Sequence, residues 1–144
     1  MKKPLLLSFI GYSGSGKTSI IEKVASILTK KGYKVCYIKH DPKDRGITDK
    51  KGSDTYRVKE NTYKAVLFSP TRLTLWQKNE KDIFGLIDDY LGDCHIILIE
   101  GFKNIDNIPK IAIGNIDAKN VIMRIGGTES LNDIINLIEG YIND

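Results

Sequence analysis

The hydrophobic positions of this chain follow two different periods along the sequence. Short, nearly continuous apolar runs, which suit buried β-strands, occupy residues 5–10, 34–38 and 95–99. Apolar residues at helical spacing follow the first run, at Ile20, Ile21, Val24, Ala25 and Leu28, and recur between residues 83 and 91. Strands that alternate with helices predict an α/β fold with a mostly parallel central sheet.

The remaining apolar runs continue this order. Four of them predict strands, at residues 63–69, 73–76, 110–113 and 120–125. The first two of these are expected to pair antiparallel across a turn at Pro70. A last helical face is marked by Leu131, Ile134, Ile135, Ile138 and Tyr141. Because no repeat or linker interrupts the pattern, residues 1–144 are expected to form a single three-layered domain.

Polar residues mark the starts of two further helices. Ser53 or Asp54 can cap a short helix that runs through Arg57. Asn79, with Asp82 three residues later, has the spacing of an N-cap before the apolar face at 83–91. Both helices are therefore expected to begin at these residues.

The segment from Lys39 to Asp54 lacks apolar periodicity and is dense in charges and turn formers. We expect a long loop, and loops of this length inside compact domains are usually functional or disordered. It leaves the carboxyl end of the second strand, the edge where parallel sheets bind ligands. His40, which directly follows this strand next to Lys39, is consequently a candidate for phosphate contact or for proton transfer, because imidazole titrates near neutral pH.

A glycine-rich turn joins the first strand to the first helix. Its sequence is Gly11-Tyr12-Ser13-Gly14-Ser15-Gly16-Lys17-Thr18, the spacing of a phosphate-binding P-loop. The glycines let backbone N–H groups surround an anion, Lys17 adds a positive charge and Thr18 offers a hydroxyl to Mg²⁺. The helix that follows points its positive end at the phosphates. The predicted nucleotide-binding residues are Gly11, Ser13, Gly14, Ser15, Gly16, Lys17, Thr18 and Ser19.

A P-loop also needs an acidic group that helps to hold Mg²⁺. Glu100 is the best candidate because it ends the most apolar strand, where its carboxylate would emerge beside the loop. Asp41 and Asp54 are alternatives for the same task. The expected catalytic residues are therefore Lys17 and Glu100, and the expected Mg²⁺ ligands are Thr18 and Glu100.

Composition narrows the classes of partner. The chain has 144 residues, 41% of them hydrophobic and 28% charged, which is the make-up of one soluble domain of ordinary size. Its net charge of +4 is modest and interspersed, so an anionic small molecule or an acidic protein patch is favoured over nucleic acid. No apolar run is long enough to span a membrane, and the first residues do not resemble a secretory signal.

The two cysteines, Cys36 and Cys94, each lie beside or within an apolar run and form no Cys-x-x-Cys pair. Buried thiols in a reducing compartment are expected, in preference to a disulfide or a metal site. The two histidines, His40 and His95, are far apart in the sequence and give little support to a transition-metal site. A cytoplasmic location is expected.

Four segments together are more particular than the P-loop alone. They are Gly11 to Thr18, Ile38-Lys39-His40, Gly52-Ser53-Asp54-Thr55-Tyr56-Arg57 and Ile99-Glu100-Gly101-Phe102-Lys103. In this order and spacing they resemble the molybdopterin-guanine dinucleotide biosynthesis adaptor protein family, MobB. The resemblance implies a P-loop protein, usually homodimeric, that binds GTP, hydrolyses it slowly and assists the nucleotidyltransferase (molybdopterin guanylyltransferase) that attaches GMP to molybdopterin.

The resemblance also implies roles for single residues. Contacts to phosphate or to the pterin substrate are implied for Lys39, His40, Asp54, Arg57 and Lys103. The preference between guanine and adenine nucleotides stays open, because the chain has no clear Asn-Lys-x-Asp motif for recognising guanine.

Two other classes share the P-loop. In a small-molecule kinase the loop from Lys39 to Asp54 would hold an acceptor, and Asp41 or Asp54 would be the base. A metallochaperone-type GTPase would need a Cys or His metal motif, which this sequence lacks.

Overall fold

The computed structural model describes residues 2–127 and 130–144. These residues contain seven strands: β1 (Leu5–Gly11), β2 (Val35–Lys39), β3 (Lys64–Phe68), β4 (Leu73–Gln77), β5 (Ile96–Glu100), β6 (Lys110–Ile113) and β7 (Val121–Ile125). The helices are α1 (Lys17–Lys30), α2 (Asp54–Lys59), α3 (Ile83–Leu86) and α4 (Leu131–Ile142), and a π-helical segment, Ile87–Leu91, follows α3. The contacts divide the chain into a first unit, residues 1–40 and 86–144, and a second unit, residues 41–85.

The first unit is built on a five-stranded sheet with the order β2-β5-β1-β6-β7. Each of its pairings is parallel, which confirms the predicted sheet type. β5 lies between β1 and β2, and all five of its residues are buried. Strands buried on both faces favour continuous apolar residues, and this is why residues 96–99 do not alternate before Glu100 ends the strand.

Two helices of the first unit pack on one face of the sheet. Ile20, Val24 and Leu28 of α1 belong to the same buried cluster as Leu7 of β1 and Leu98 of β5. The buried face of α4 joins this cluster through Ile134, Ile135 and Ile138. Ile10 and Ala112 form a smaller cluster with Ile116. The apolar positions at helical spacing in α1 and α4 thus pack together against one face of the sheet.

The second unit contains an antiparallel hairpin, β3 and β4, as predicted. α2 begins after Ser53, whose hydroxyl accepts a hydrogen bond of 3.2 Å from the Tyr56 N–H. This resolves the choice between Ser53 and Asp54 as the cap. One face of the hairpin carries apolar side chains that are at least 39% exposed: Val66, Phe68, Leu73 and Leu75.

The predicted N-cap at Asn79 is wrong. The helix begins at Ile83, and the carboxylate of Asp82 accepts a hydrogen bond of 2.9 Å from the Gly85 N–H. Asn79 instead closes a local turn by accepting from the Lys81 N–H at 3.0 Å. Asparagine and aspartate serve equally well as N-caps, so residue type alone does not choose between them.

The expected apolar face of this helix also changes along its length. Ile83 and Ile87 are buried as predicted, whereas Tyr90 is 43% exposed. Residues 87–91 form a π-helical turn, whose i→i+5 hydrogen bonds need more residues per turn than an α-helix. The side chains after Ile87 therefore do not fall on the buried face that α-helical spacing predicts, and Tyr90 is turned towards solvent.

The expectation of two free thiols is also wrong. Cys36 of β2 and Cys94, two residues before β5, are joined by a disulfide with their Cα atoms 6.3 Å apart. The parallel pairing of β2 with β5, in which Val35 faces Ile96, brings the two cysteines together. Because the two cysteines are 58 positions apart in the sequence, their proximity could not be predicted from local patterns.

The longest described helix, α1, has 14 residues. Within residues 2–127 and 130–144, no helix combines the length and the apolar character that a membrane crossing needs.

Candidate functional site

The turn between β1 and α1 forms an open cradle of backbone. Gly14 and Gly16 have φ angles of 79° and 93°, a conformation that side chains with a Cβ rarely adopt. A Cβ built on either glycine would meet no heavy atom of the described residues within 4 Å. The space above both residues is therefore free for a ligand, and the N–H groups that precede α1 border it.

Side chains of the cradle are arranged around the same space. Lys17 Nζ donates to the carbonyl oxygens of Gly11 at 2.8 Å and Tyr12 at 3.2 Å, so its charge lies over the loop. A Cβ on Gly11 would lie 2.5 Å from Ser15 Oγ, which explains the glycine at that position. Ser15 Oγ is buried and has no hydrogen-bond partner among the described residues. The cradle thus contains a cation that an anion can use, and behind it a buried hydroxyl that no described residue satisfies.

Glu100 lies at the edge of this cradle. It is 9% exposed, and its Oε1 accepts hydrogen bonds from Thr18 Oγ1 at 3.0 Å and from the Tyr37 hydroxyl at 3.1 Å. Lys39 Nζ lies 3.8 Å from Oε2. The pairings of β5 with β1 and β2 set these contacts, since Phe9 and Lys39 both stand beside Glu100 in the sheet. One carboxylate therefore joins the P-loop to the end of β2.

The chain turns sharply immediately after Glu100. Gly101 and Phe102 have φ angles of 103° and 60°. The Gly101 N–H donates to the Phe9 carbonyl at 3.2 Å, and the hydroxyl of the buried Ser8 donates to the Gly101 carbonyl. The turn stacks the Phe102 ring on the His40 ring, with centroids 4.0 Å apart and 18° between the planes. His40 also donates its backbone N–H to the Glu100 carbonyl at 3.0 Å. The corner is thus fixed to both neighbouring strands.

Tyr37 is a residue of this site that motif reasoning missed. Burial, and then the nearby Glu100 carboxylate, raise the pKa of its phenol to about 12. The phenol therefore keeps its proton and acts as a donor to Glu100. A signal was present in the sequence, because residues two apart in a strand share a face and Tyr37 precedes Lys39 by two.

The other predicted contacts lie elsewhere in the chain. Lys103 is exposed in the loop after β5. Asp54 and Arg57 belong to α2 of the second unit. Asp41, also in the second unit, accepts hydrogen bonds from the Arg45 and Gly46 N–H groups at 3.0 and 2.7 Å. Its carboxylate therefore shapes the start of the loop.

The donor set at Glu100 suits a hard divalent cation. Mg²⁺ in nucleotide sites takes one or two carboxylates and keeps several waters, so a hydroxyl and a single carboxylate next to a phosphate cradle match its chemistry. The Thr18 hydroxyl and the Glu100 carboxylate, already in contact, are such a set. Among residues 2–127 and 130–144 no three or more His, Cys, Asp or Glu side chains cluster in a way that could hold a metal ion.

Comparison with known proteins decides the family. A family model described as "Molybdopterin guanine dinucleotide synthesis protein B" matches residues 6–141, nearly the whole chain. The chain belongs to the MobB family. The predicted resemblance is therefore confirmed.

Two relatives show how far the similarity extends. The molybdopterin-guanine dinucleotide biosynthesis adapter protein of Haemophilus influenzae is 34% identical over 115 residues, covering 75% of this chain and 62% of the relative. The adapter protein of Escherichia coli is 32% identical over 114 residues, covering 75% of this chain and 64% of the relative. This MobB chain spans less than two thirds of the length of these curated relatives.

A solved structure supports the fold. The crystal structure of molybdopterin-guanine biosynthesis protein B matches with a TM-score of 0.73 and 20% sequence identity, covering 95% of this chain and 99% of the other. At this identity the match speaks for the fold alone. It confirms the predicted three-layered α/β architecture.

Proposed function

We propose that this MobB chain is a GTP-binding adaptor with slow GTPase activity, which assists the attachment of GMP to molybdopterin. The observation that carries the nucleotide site is the hydrogen bond from Thr18 to Glu100, because it joins a P-loop hydroxyl to a strand-end carboxylate. Family membership supports the pathway, since the matching relatives are called molybdopterin-guanine dinucleotide biosynthesis adapter proteins.

The proposed role of each P-loop residue follows from its geometry. The N–H groups bordering Gly14 and Gly16 and the amino end of α1 would hold the phosphates. Lys17 would exchange its carbonyl partners for phosphate oxygens. Thr18 and Glu100 would hold Mg²⁺, which neutralises phosphate charge when it is bound.

Slow hydrolysis is proposed because the one arginine in the sequence of the first unit is engaged with backbone carbonyls, so it is not free to stabilise the charge of a transferring phosphoryl group. This arginine is Arg124. Its guanidinium donates to the carbonyl oxygens of Gly114 at 2.5 Å and Ile116 at 2.7 Å, so it supports a loop after β6. P-loop GTPases that lack an arginine at the transition state can be slower by about a thousandfold or more.

Further contacts complete the proposal. Contacts with phosphate or pterin are proposed for Lys39, His40, Lys103, Asp54 and Arg57. A homodimer is also proposed, and the exposed apolar face of the hairpin supports a protein contact there, as such patches mark interaction surfaces. The proposed partner is the molybdopterin guanylyltransferase, and the proposed location is the cytoplasm.

Nucleotide titration tests the core of this proposal. We expect the protein to bind GTP more tightly than ATP in the presence of Mg²⁺, and Lys17→Ala to weaken GTP binding by about a hundredfold or more. Lys23→Ala is the matched control, because Lys23 is exposed on the same helix. If neither nucleotide bound, or if Lys17→Ala and Lys23→Ala behaved alike, the proposed site would be wrong.

The adaptor role has its own test. GTP binding should be retained, or strengthened, when the guanylyltransferase is added, and a complex should be detectable by size-exclusion chromatography. Only free phosphate should be released from GTP. Transfer of the γ-phosphoryl group to a small acceptor would instead identify a kinase.

A further inference from the structure

Tyr37 occupies a specific place beside the candidate cation site. It lies on β2, where it pairs with Leu98, while Lys39 pairs with Glu100. Side chains two apart on a strand share a face, so Tyr37 and Glu100 lie on the same side of the sheet. Leu98 and Phe9, which border them, pack against α1, the helix that carries Thr18. Tyr37 thus reaches Glu100 from β2, while Thr18 reaches it from α1.

The carboxylate of Glu100 receives its orienting contacts through one oxygen. Oε1 accepts from both Thr18 and Tyr37, whereas the Lys39 ammonium is 3.8 Å from Oε2, longer than a hydrogen bond. A glutamate side chain has three rotatable bonds, so a second fixed donor restricts its rotation strongly. Thr18 is exposed and lies in the first turn of α1, at the end of the P-loop. Tyr37, on β2, is the donor that comes from the sheet itself.

We propose that Tyr37 is a positioning residue that holds Glu100 in the orientation from which Thr18 and Glu100 together bind a nucleotide-associated divalent cation. This inference rests on the proposed function. Tyr37 would not touch the nucleotide; it would act through Glu100. The Tyr37 hydroxyl donates to Glu100 Oε1 at 3.1 Å, and a carboxylate can only accept, so this contact fixes the position of that oxygen.

The test compares Tyr37→Phe with Tyr141→Phe. The two tyrosines are 49% and 48% exposed, so both changes remove a half-exposed hydroxyl. Tyr141 lies on α4. With Leu5 and His95 it borders a cavity of about 460 Å³ at the amino ends of β1 and β5, whereas Glu100 is at the carboxyl end of β5. The affinity for a fluorescent GTP analogue is measured with Mg²⁺ and with EDTA. The ratio of the two affinities is the readout.

In the full-length protein we expect Tyr37→Phe to reduce this ratio roughly three- to tenfold, with the affinity in EDTA unchanged. Tyr141→Phe should leave both affinities unchanged. A double-mutant cycle then shows whether Tyr37 acts through Glu100, since coupled residues are not additive. In a Glu100→Gln background, Tyr37→Phe should produce no further reduction.

The contrary results are distinct. A wild-type ratio in Tyr37→Phe would overturn the inference and leave the nucleotide site standing. Equal losses with Mg²⁺ and with EDTA, together with a lower melting temperature, would assign Tyr37 a general structural role and also overturn it. Absence of Mg²⁺-dependent binding in the wild-type protein would overturn the proposed function, and this inference with it.

Discussion

Thr18 donates a hydrogen bond of 3.0 Å to Glu100 across 82 positions of the chain. The contact exists because β1 and β5 are neighbours in the sheet, with Phe9 beside Glu100. The P-loop follows β1 directly, so the first turn of α1 lies over the end of β5. Two segments that are separate motifs in the sequence thus share one hydrogen bond, which places a hydroxyl and a carboxylate side by side at the end of the P-loop.

Glu100→Gln tests this contact. The substitution keeps the size of the side chain but removes its negative charge, so we expect the Mg²⁺-dependent part of GTP affinity to be lost and hydrolysis to fall on the order of a hundredfold. Affinity in EDTA should be preserved. Glu22→Gln, at an exposed position of α1, is the control. A Glu100→Gln protein with normal Mg²⁺ dependence would exclude Glu100 from the cation site.

Local patterns predicted most elements of the fold. The P-loop glycines, the apolar face of α1 and the continuous run of β5 each depend on neighbouring residues, and the structure places them as expected. The errors arose where several local solutions were equivalent. Asn79 and Asp82 are both good caps, and only the structure shows that Asp82 caps the helix.

Contacts between distant strands were harder to predict. The disulfide of Cys36 with Cys94 and the hydrogen bond of Tyr37 to Glu100 both follow from the pairing of β2 with β5. The sequence predicted both strands but not that they would be neighbours. Glu100 was found because strand ends of a parallel sheet share one edge, whereas Tyr37 precedes the strand end and carries no motif.

Gly101 should be intolerant of a side chain. Its φ of 103° disfavours any residue with a Cβ, and that Cβ would lie 3.0 Å from the Cβ of His40. We expect Gly101→Ala to lower the free energy of unfolding by about 2 kcal/mol, measured by urea denaturation. Gly140→Ala is the opposite control, since Gly140 lies exposed in α4 with no atom of the described residues within 4 Å of its Cβ position. That change should stabilise by roughly 0.5–1 kcal/mol, and a Gly101→Ala protein of unchanged stability would contradict the strained corner.

Lys110 should be a structural cation. It is fully buried, and its Nζ donates to the carbonyl oxygens of Ile105 at 2.6 Å, Ile108 at 2.9 Å and Lys119 at 2.9 Å. Burial lowers the pKa of this amine. Lys110→Met fills a similar volume but leaves those oxygens without their donor, so the free energy of unfolding should fall by about 3 kcal/mol.

The control for Lys110 is Lys119→Met. The Lys119 ammonium lies 3.4 Å from Asp106, and both side chains are more than half exposed, so the loss should be below about 1 kcal/mol. Because the backbone carbonyl of Lys119 is unaffected, the contact with Lys110 persists in this variant. Equal effects of the two substitutions in urea denaturation would show that the buried ammonium does not organise these loops.

Glu139 should make stability depend on pH in the acidic range. Hydrogen bonds from Lys31 at 2.6 Å and from the Tyr33 hydroxyl at 3.0 Å hold the pKa of this carboxyl below its ordinary value of 4.5. A carboxyl with a depressed folded-state pKa stabilises the fold above its unfolded value, and this contribution is lost as the pH falls through the folded value. We therefore expect Glu139→Gln to melt at a lower temperature than the wild type at neutral pH, and the difference to shrink below about pH 4.5. Glu22→Gln should follow the wild type at every pH. A Glu139→Gln difference that persisted at low pH would show that the contacts of α4 with Lys31 and Tyr33, just after α1, do not depend on the charge of Glu139.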